Sequence, residues 1–193
     1  SSITGDVKTG TGQNASITAN LSGGSSRFTG NAEVVGDFSA NNTINLGLSG
    51  DNAQQLGNLK AEGNNTLNAV YSGRNSSLAG TADNKGIMNL AFTNQSVMNG
   101  DILNGVKVYE DNVSQSPFAG QLTANFEQSS WNGNLSNQGG TAGIILDRVS
   151  LWTGNLDNRG GTSGVTLSGG GTWTGSLNNQ GGMADVTLNR GSV

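Results

Sequence analysis

SWNGNL at 130–135, LWTGNL at 151–156 and TWTGSL at 172–177 are one motif written three times, with Trp131, Trp152 and Trp173 standing 21 residues apart. Two residues after each tryptophan comes Gly133, Gly154 or Gly175. Four after comes Leu135, Leu156 or Leu177, and six after comes Asn137, Asn158 or Asn179. A Gly-Gly pair follows each time, beginning at Gly139, Gly160 and Gly181, and then a short apolar alternation: Ile144 with Leu146, Val165 with Leu167, Val186 with Leu188. Carried toward the N-terminus, the same apolar-x-Gly-x-apolar core recurs as Ile3-Gly5-Val7, Phe28-Gly30-Ala32, Leu78-Gly80-Ala82 and Met98-Gly100-Ile102. Gln55-Gly57-Leu59 has a weaker first member. Successive units measure 25, 27, 23, 20, 33, 21 and 21 residues.

Side chains two apart along a strand share a face, so the sequence predicts Trp, Gly and Leu of each unit on one inward face. A glycine between two large residues leaves room for a ring. Stacking units at ~4.8 Å sets each tryptophan over its counterpart and makes Trp131, Trp152 and Trp173 a structural core ladder. The Asn column and the Gly-Gly pairs are expected at a turn, since these residues tolerate left-handed backbone, and equivalent amides are expected to bond from rung to rung. Helices are excluded: glycine is too frequent, and apolar residues do not recur at i, i+3, i+4 and i+7. The expected fold is all-β, a right-handed parallel β-helix of about eight coils. Two strands per unit are visible and a third short one is expected, giving a rod of about 40 Å at ~4.8 Å per coil. Residues 1–193 read as a single β-helix segment, and the uncapped repeats at both ends read as part of a longer parent. The 33-residue unit carries an insertion at 103–117, a candidate protruding loop, although Phe118-x-Gly120-x-Leu122 offers an alternative reading as a short extra turn.

Composition agrees with a thin, repetitive interior, since only 33% of residues are hydrophobic and 11% charged. The net charge of −4, with nine scattered Lys and Arg residues, provides no basic patch for phosphates, so nucleic acid is not an expected partner. Cysteine and histidine are absent. Triads that need them, and the usual zinc sites, are therefore excluded.

The three tryptophan units, each followed by an Ile/Val-x-Leu strand, resemble the repeats of autotransporter passenger domains of the pertactin and AIDA adhesin type. The likeness is strongest over about the last third of the chain. It implies display on a Gram-negative cell surface, or release from it, with membrane attachment only through a C-terminal barrel that lies outside this sequence. It also implies functions spanning adhesion, aggregation, toxin activity and sometimes proteolysis, of which adhesion or self-association without catalysis is the one expected here. The expected partners are a host surface protein, matrix or glycan, or the same protein on a neighbouring cell. No cofactor or metal is expected.

The alternative is a β-helical polysaccharide lyase or glycoside hydrolase, which needs two or three carboxylates within roughly 5–10 Å. Asp6 and Asp101 share a column but lie four coils apart, roughly 19 Å at ~4.8 Å per coil. Asp147, Asp157 and Asp185 fall in different columns. The stretch from Gly160 to Leu167 is close to the glycine-rich calcium nonapeptide, yet it lacks the aspartate and recurs every 21 residues. An extra loop on a repeat often forms a binding face, so Lys107, Tyr109, Glu110 and Asp111 in the insertion are the candidate partner-binding residues, set against ordinary length variation.

Overall fold

A computed structural model describes residues 1–10, 14–36, 39–107 and 118–191. All regular structure among them is strand. The strands pair in parallel from coil to coil as a β-solenoid of about eight turns, in line with the parallel β-helix read from the repeats. Each coil contains three strands. The first is three residues long and in the last three coils carries the tryptophan; its copies are Ser2–Thr4, Arg27–Thr29, Gln54–Leu56, Ser77–Ala79, Val97–Asn99, Ser130–Asn132, Leu151–Thr153 and Thr172–Thr174, and they form an 8-stranded sheet. The second strand is Val7–Lys8, Ala32–Val34, Ile102–Asn104, Leu135–Gln138, Leu156–Arg159 or Leu177–Asn179. The third is Ser16–Leu21, Thr43–Leu48, Gln121–Glu127, Thr141–Asp147, Thr162–Leu167 or Met183–Leu188. In the third and fourth coils these two strands run together as Leu59–Tyr71 and Ala82–Phe92, which unites both columns into one 14-stranded sheet.

The register places identical side chains over one another, with Trp131 beside Trp152 and Trp152 beside Trp173. Their rings stack at 4.5 and 4.7 Å. The stack is longer than the tryptophans alone. It begins at Tyr71 and passes through Phe92 at 4.5 Å and Phe126 at 5.0 Å, then meets Trp131 at 5.7 Å, every pair within 7° of parallel. Tyr71 and Phe92 end third strands and Phe126 is next to last in one, whereas the tryptophans sit in first strands, so the stack changes column between the fifth and sixth coils. The columns exchange bulk to allow it. Where the third strand supplies Tyr71, Phe92 or Phe126, the first supplies Gln55, Leu78 or Met98; where the first supplies a tryptophan, the third supplies Leu146, Leu167 or Leu188. One large ring per coil keeps the interior filled at constant cross-section, as close packing requires. Gln55 is fully buried; the Tyr71 hydroxyl donates to its Oε1 while its Nε2 has no hydrogen-bond partner among the described residues, and burial pushes that phenol's pKa up.

Two expectations need correction. Gly133 does not share a strand with Trp131 and Leu135; it stands at the bend between Ser130–Asn132 and Leu135–Gln138. What forbids a side chain there is chiefly the neighbouring backbone: a Cβ on Gly133 would lie 2.0 Å from the Gly100 carbonyl oxygen and 3.0 Å from Trp131 Nε1. That carbonyl is also where the indole ends, since Trp131 Nε1 donates to Gly100 O at 2.9 Å.

The Asn column, expected in a turn, lies inside the second strands and faces inward. Asn84, Asn104, Asn137 and Asn158 are fully buried. Their Nδ2 groups donate to the next Oδ1 in a chain of 2.7, 2.8, 2.8 and 2.8 Å that ends on Asn179. The left-handed backbone falls instead on Gly139, Gly160 and Gly181, with φ of 84°, 77° and 81°. Inward alternation prevails over turn propensity because the ladder satisfies each buried amide. Asn137 Nδ2 also donates to Gly140 O and Thr162 O. Replacing Asn137 with leucine breaks the chain in the middle and should cost about 2–3 kcal/mol in urea unfolding. An unchanged midpoint would show that the ladder contributes nothing.

Candidate functional site

The inward columns leave three outer faces, and charge is partitioned among them. The outer positions of the second strands carry ion pairs: Lys8 with Glu33 at 3.1 Å, Lys60 with Glu62 at 3.0 Å, Lys85 with Asp83 at 3.8 Å and Arg159 with Asp157 at 2.7 Å. The hydrogen bond to Glu62 holds the Lys60 ammonium above its ordinary pKa. Exposed pairs of this kind add little stability, and they mark a hydrated face.

The third strands present the opposite character. Their central outer column is Thr18, Asn45, Asn68, Asn89, Thr123, Gly143 and Gly164, and the columns on either side are equally free of charge until Asp185 in the eighth coil. Asn68 Nδ2 donates to Asn45 Oδ1 and Asn89 Nδ2 to Asn68 Oδ1, both at 2.8 Å, so the amides are ordered along the rod. Val70 and Ile145 add apolar spots, each 42% exposed.

A groove runs along the corner where third strands lead into the first strands of the next coil. The connection takes five residues at 49–53 and 72–76, four at 93–96, two at 128–129 and three at 148–150. The corner is therefore notched at Gln128 and Ser129. The resulting cavity of about 730 Å³ is open to solvent, with Asp51 and Arg74 at one end and Val149 and Leu151 at the other.

The carboxylates considered for catalysis are placed as follows. Asp6 Oδ1 accepts the Asn31 backbone N–H at 2.8 Å and Asp101 Oδ1 accepts that of Asn134 at 2.7 Å, each tying its bend to the next coil. Asn31, Asn58, Asn134 and Asn155 continue the same exposed column in the same manner. Asp147 accepts from Arg148 N and Ser168 Oγ, and Asp157 from Arg159. Among the described residues no three acids come together.

In the insertion, Leu103 keeps its place in a regular rung beside Asp83 and Ser136. The chain leaves and returns through an antiparallel pair, Val106–Lys107 with Phe118–Ala119, and Leu122 rejoins the third-strand column. Phe118 thus opens no extra coil among the described residues. Only the backbone of Lys107 is described, and Tyr109, Glu110 and Asp111 lie outside the described residues. Comparison with known proteins returns nothing: no family model matches the chain, and no curated protein or solved structure matches it.

Proposed function

We propose that this chain is a non-enzymatic adhesive rod of the autotransporter-passenger type, displayed on a bacterial surface, and that it contacts a second copy of itself through the face of the third strands. The observation that supports this reading is the absence of charge from the three middle outer columns of that face over seven consecutive coils, with Glu127 and Asp147 standing at its edge, beside a second-strand face that carries ion pairs. Charged side chains resist the desolvation that close apposition demands, so an uncharged flat face is the one that can be covered at least cost. Six-residue strands at ~3.3 Å per residue and seven coils at ~4.8 Å give about 600 Å² per copy, about 1,200 Å² for a pair. That is the lower bound of a standard specific interface and suits weak contacts multiplied along many rods.

Sedimentation velocity over a concentration series tests this. The wild type should associate reversibly, and its affinity should hardly change between about 0.1 and 1 M salt, where screening shortens from ~10 to ~3 Å. Asn68→Arg combined with Ile145→Arg should abolish association without moving the unfolding midpoint. A wild type that stays monomeric, or a double variant that still associates, would overturn the proposal. Persistent association in the variant would point to the coil ends, where Leu177 and Leu188 are exposed.

A further inference from the structure

We propose that the corner groove is a binding site for a neutral oligosaccharide lying along the rod. This goes beyond the face-to-face contact, and the two readings fail separately.

The shape comes first. The notch at Gln128 is flanked by longer connections on both sides, and the five connections from Asp51 to Val149 span about 19 Å at ~4.8 Å per rung. A volume of about 730 Å³ lies within the range of sites that hold small molecules. This is an elongated trough aligned with the coil stack, suited to a chain of repeating units.

The chemistry selects the kind of chain. Gln95 and Gln128 are exposed in the trough, and their side-chain amides have no hydrogen-bond partner among the described residues; neither has the Arg74 guanidinium. An amide carries a donor and an acceptor side by side, which matches the paired donor and acceptor of neighbouring sugar hydroxyls. Val149, 72% exposed, and Leu151, 41% exposed, form an apolar lip against which the C–H face of a sugar ring can rest.

Two other occupants fit less well. An extended peptide would need free backbone groups to pair with. Here the turn amides are engaged from rung to rung: Gln95 N–H donates to Gln128 O at 2.7 Å, Gln128 N–H to Asp147 O at 3.3 Å and Val149 N–H to Gly169 O at 3.0 Å. A polyanion would need net positive charge. Arg74 is offset by Asp51, whose Oδ1 accepts the Arg74 backbone N–H at 3.0 Å, and Arg148 is paired with Glu127 at 2.6 Å beside the trough.

The test is calorimetric titration of the whole chain with neutral tetrasaccharides of β-linked glucose, mannose and N-acetylglucosamine, and with a tetragalacturonate. At least one neutral probe should bind, more tightly than the acidic one. Gln95→Ala with Gln128→Ala should weaken it about tenfold, the loss of two hydrogen-bonding groups, while the thermal midpoint stays put. Asn68→Arg with Ile145→Arg should bind the sugar as well as the wild type, because those residues are on the open face. No binding of any neutral probe, tighter binding of the acidic probe, or an undiminished affinity in the double-alanine variant would overturn the assignment.

Discussion

Replacing Trp152 with alanine should cost the fold about 3–5 kcal/mol and loosen the C-terminal coils before the rest. The ring is fully buried, held between Trp131 at 4.5 Å and Trp173 at 4.7 Å, and its Nε1 donates to the Gly133 carbonyl at 2.8 Å. Truncation removes one of the two largest buried side chains in the molecule and interrupts a six-ring stack. In a solenoid each coil touches only its neighbours, so the damage stays local. Hydrogen exchange should rise first over residues 151–188. Trp173→Ala is the internal comparison: Trp173 is only half-buried, so its loss should cost clearly less. Equal effects of the two substitutions would contradict the packing described.

The second large effect is expected from a single methyl group. A Cβ on Gly154 would sit 1.8 Å from the Gly133 carbonyl oxygen and 3.0 Å from Trp152 Nε1. Backbone cannot yield there without opening the rung, because that same oxygen accepts the indole hydrogen bond. Gly154→Ala should therefore cost about 3 kcal/mol or more in chemical denaturation. Gly164→Ala is the control. It lies on the open face of a third strand with nothing within 4 Å of the added Cβ, and glycine is a poor strand residue, so that change should be neutral or mildly stabilising.

The 21-residue tryptophan spacing was enough to read coils, parallel stacking and an inward ladder, because strand alternation and rung repetition are both written directly in residue spacing. Positions where the chain bends were harder. Gly133 obeys the spacing of two from Trp131, but the strand ends at Asn132, so alternation no longer applies. Asn137 does obey alternation, two residues beyond Leu135, yet its polarity pointed to a turn; only the coil-to-coil amide chain explains its burial. The relay from Tyr71 through Phe126 to Trp131 left a faint trace, since aromatic and aliphatic residues trade places between two columns at the same coil. The uncharged face was also legible in principle: sorting Lys, Arg, Asp and Glu by column separates it from the second-strand face. The corner groove was not, because it depends on differences of one or two residues in connections whose ends are set by the fold.

Iodide quenching of tryptophan fluorescence tests most directly the claim that the rings form the interior and leave the polar faces for contact. Trp131 and Trp152 are fully buried, so two of the three emitters should resist quenching and only Trp173, at the last coil, should be partly reached. Rapid quenching of all three, at the rate of free tryptophan, would mean that the column faces solvent and would contradict both the core and the assignment of the contact faces.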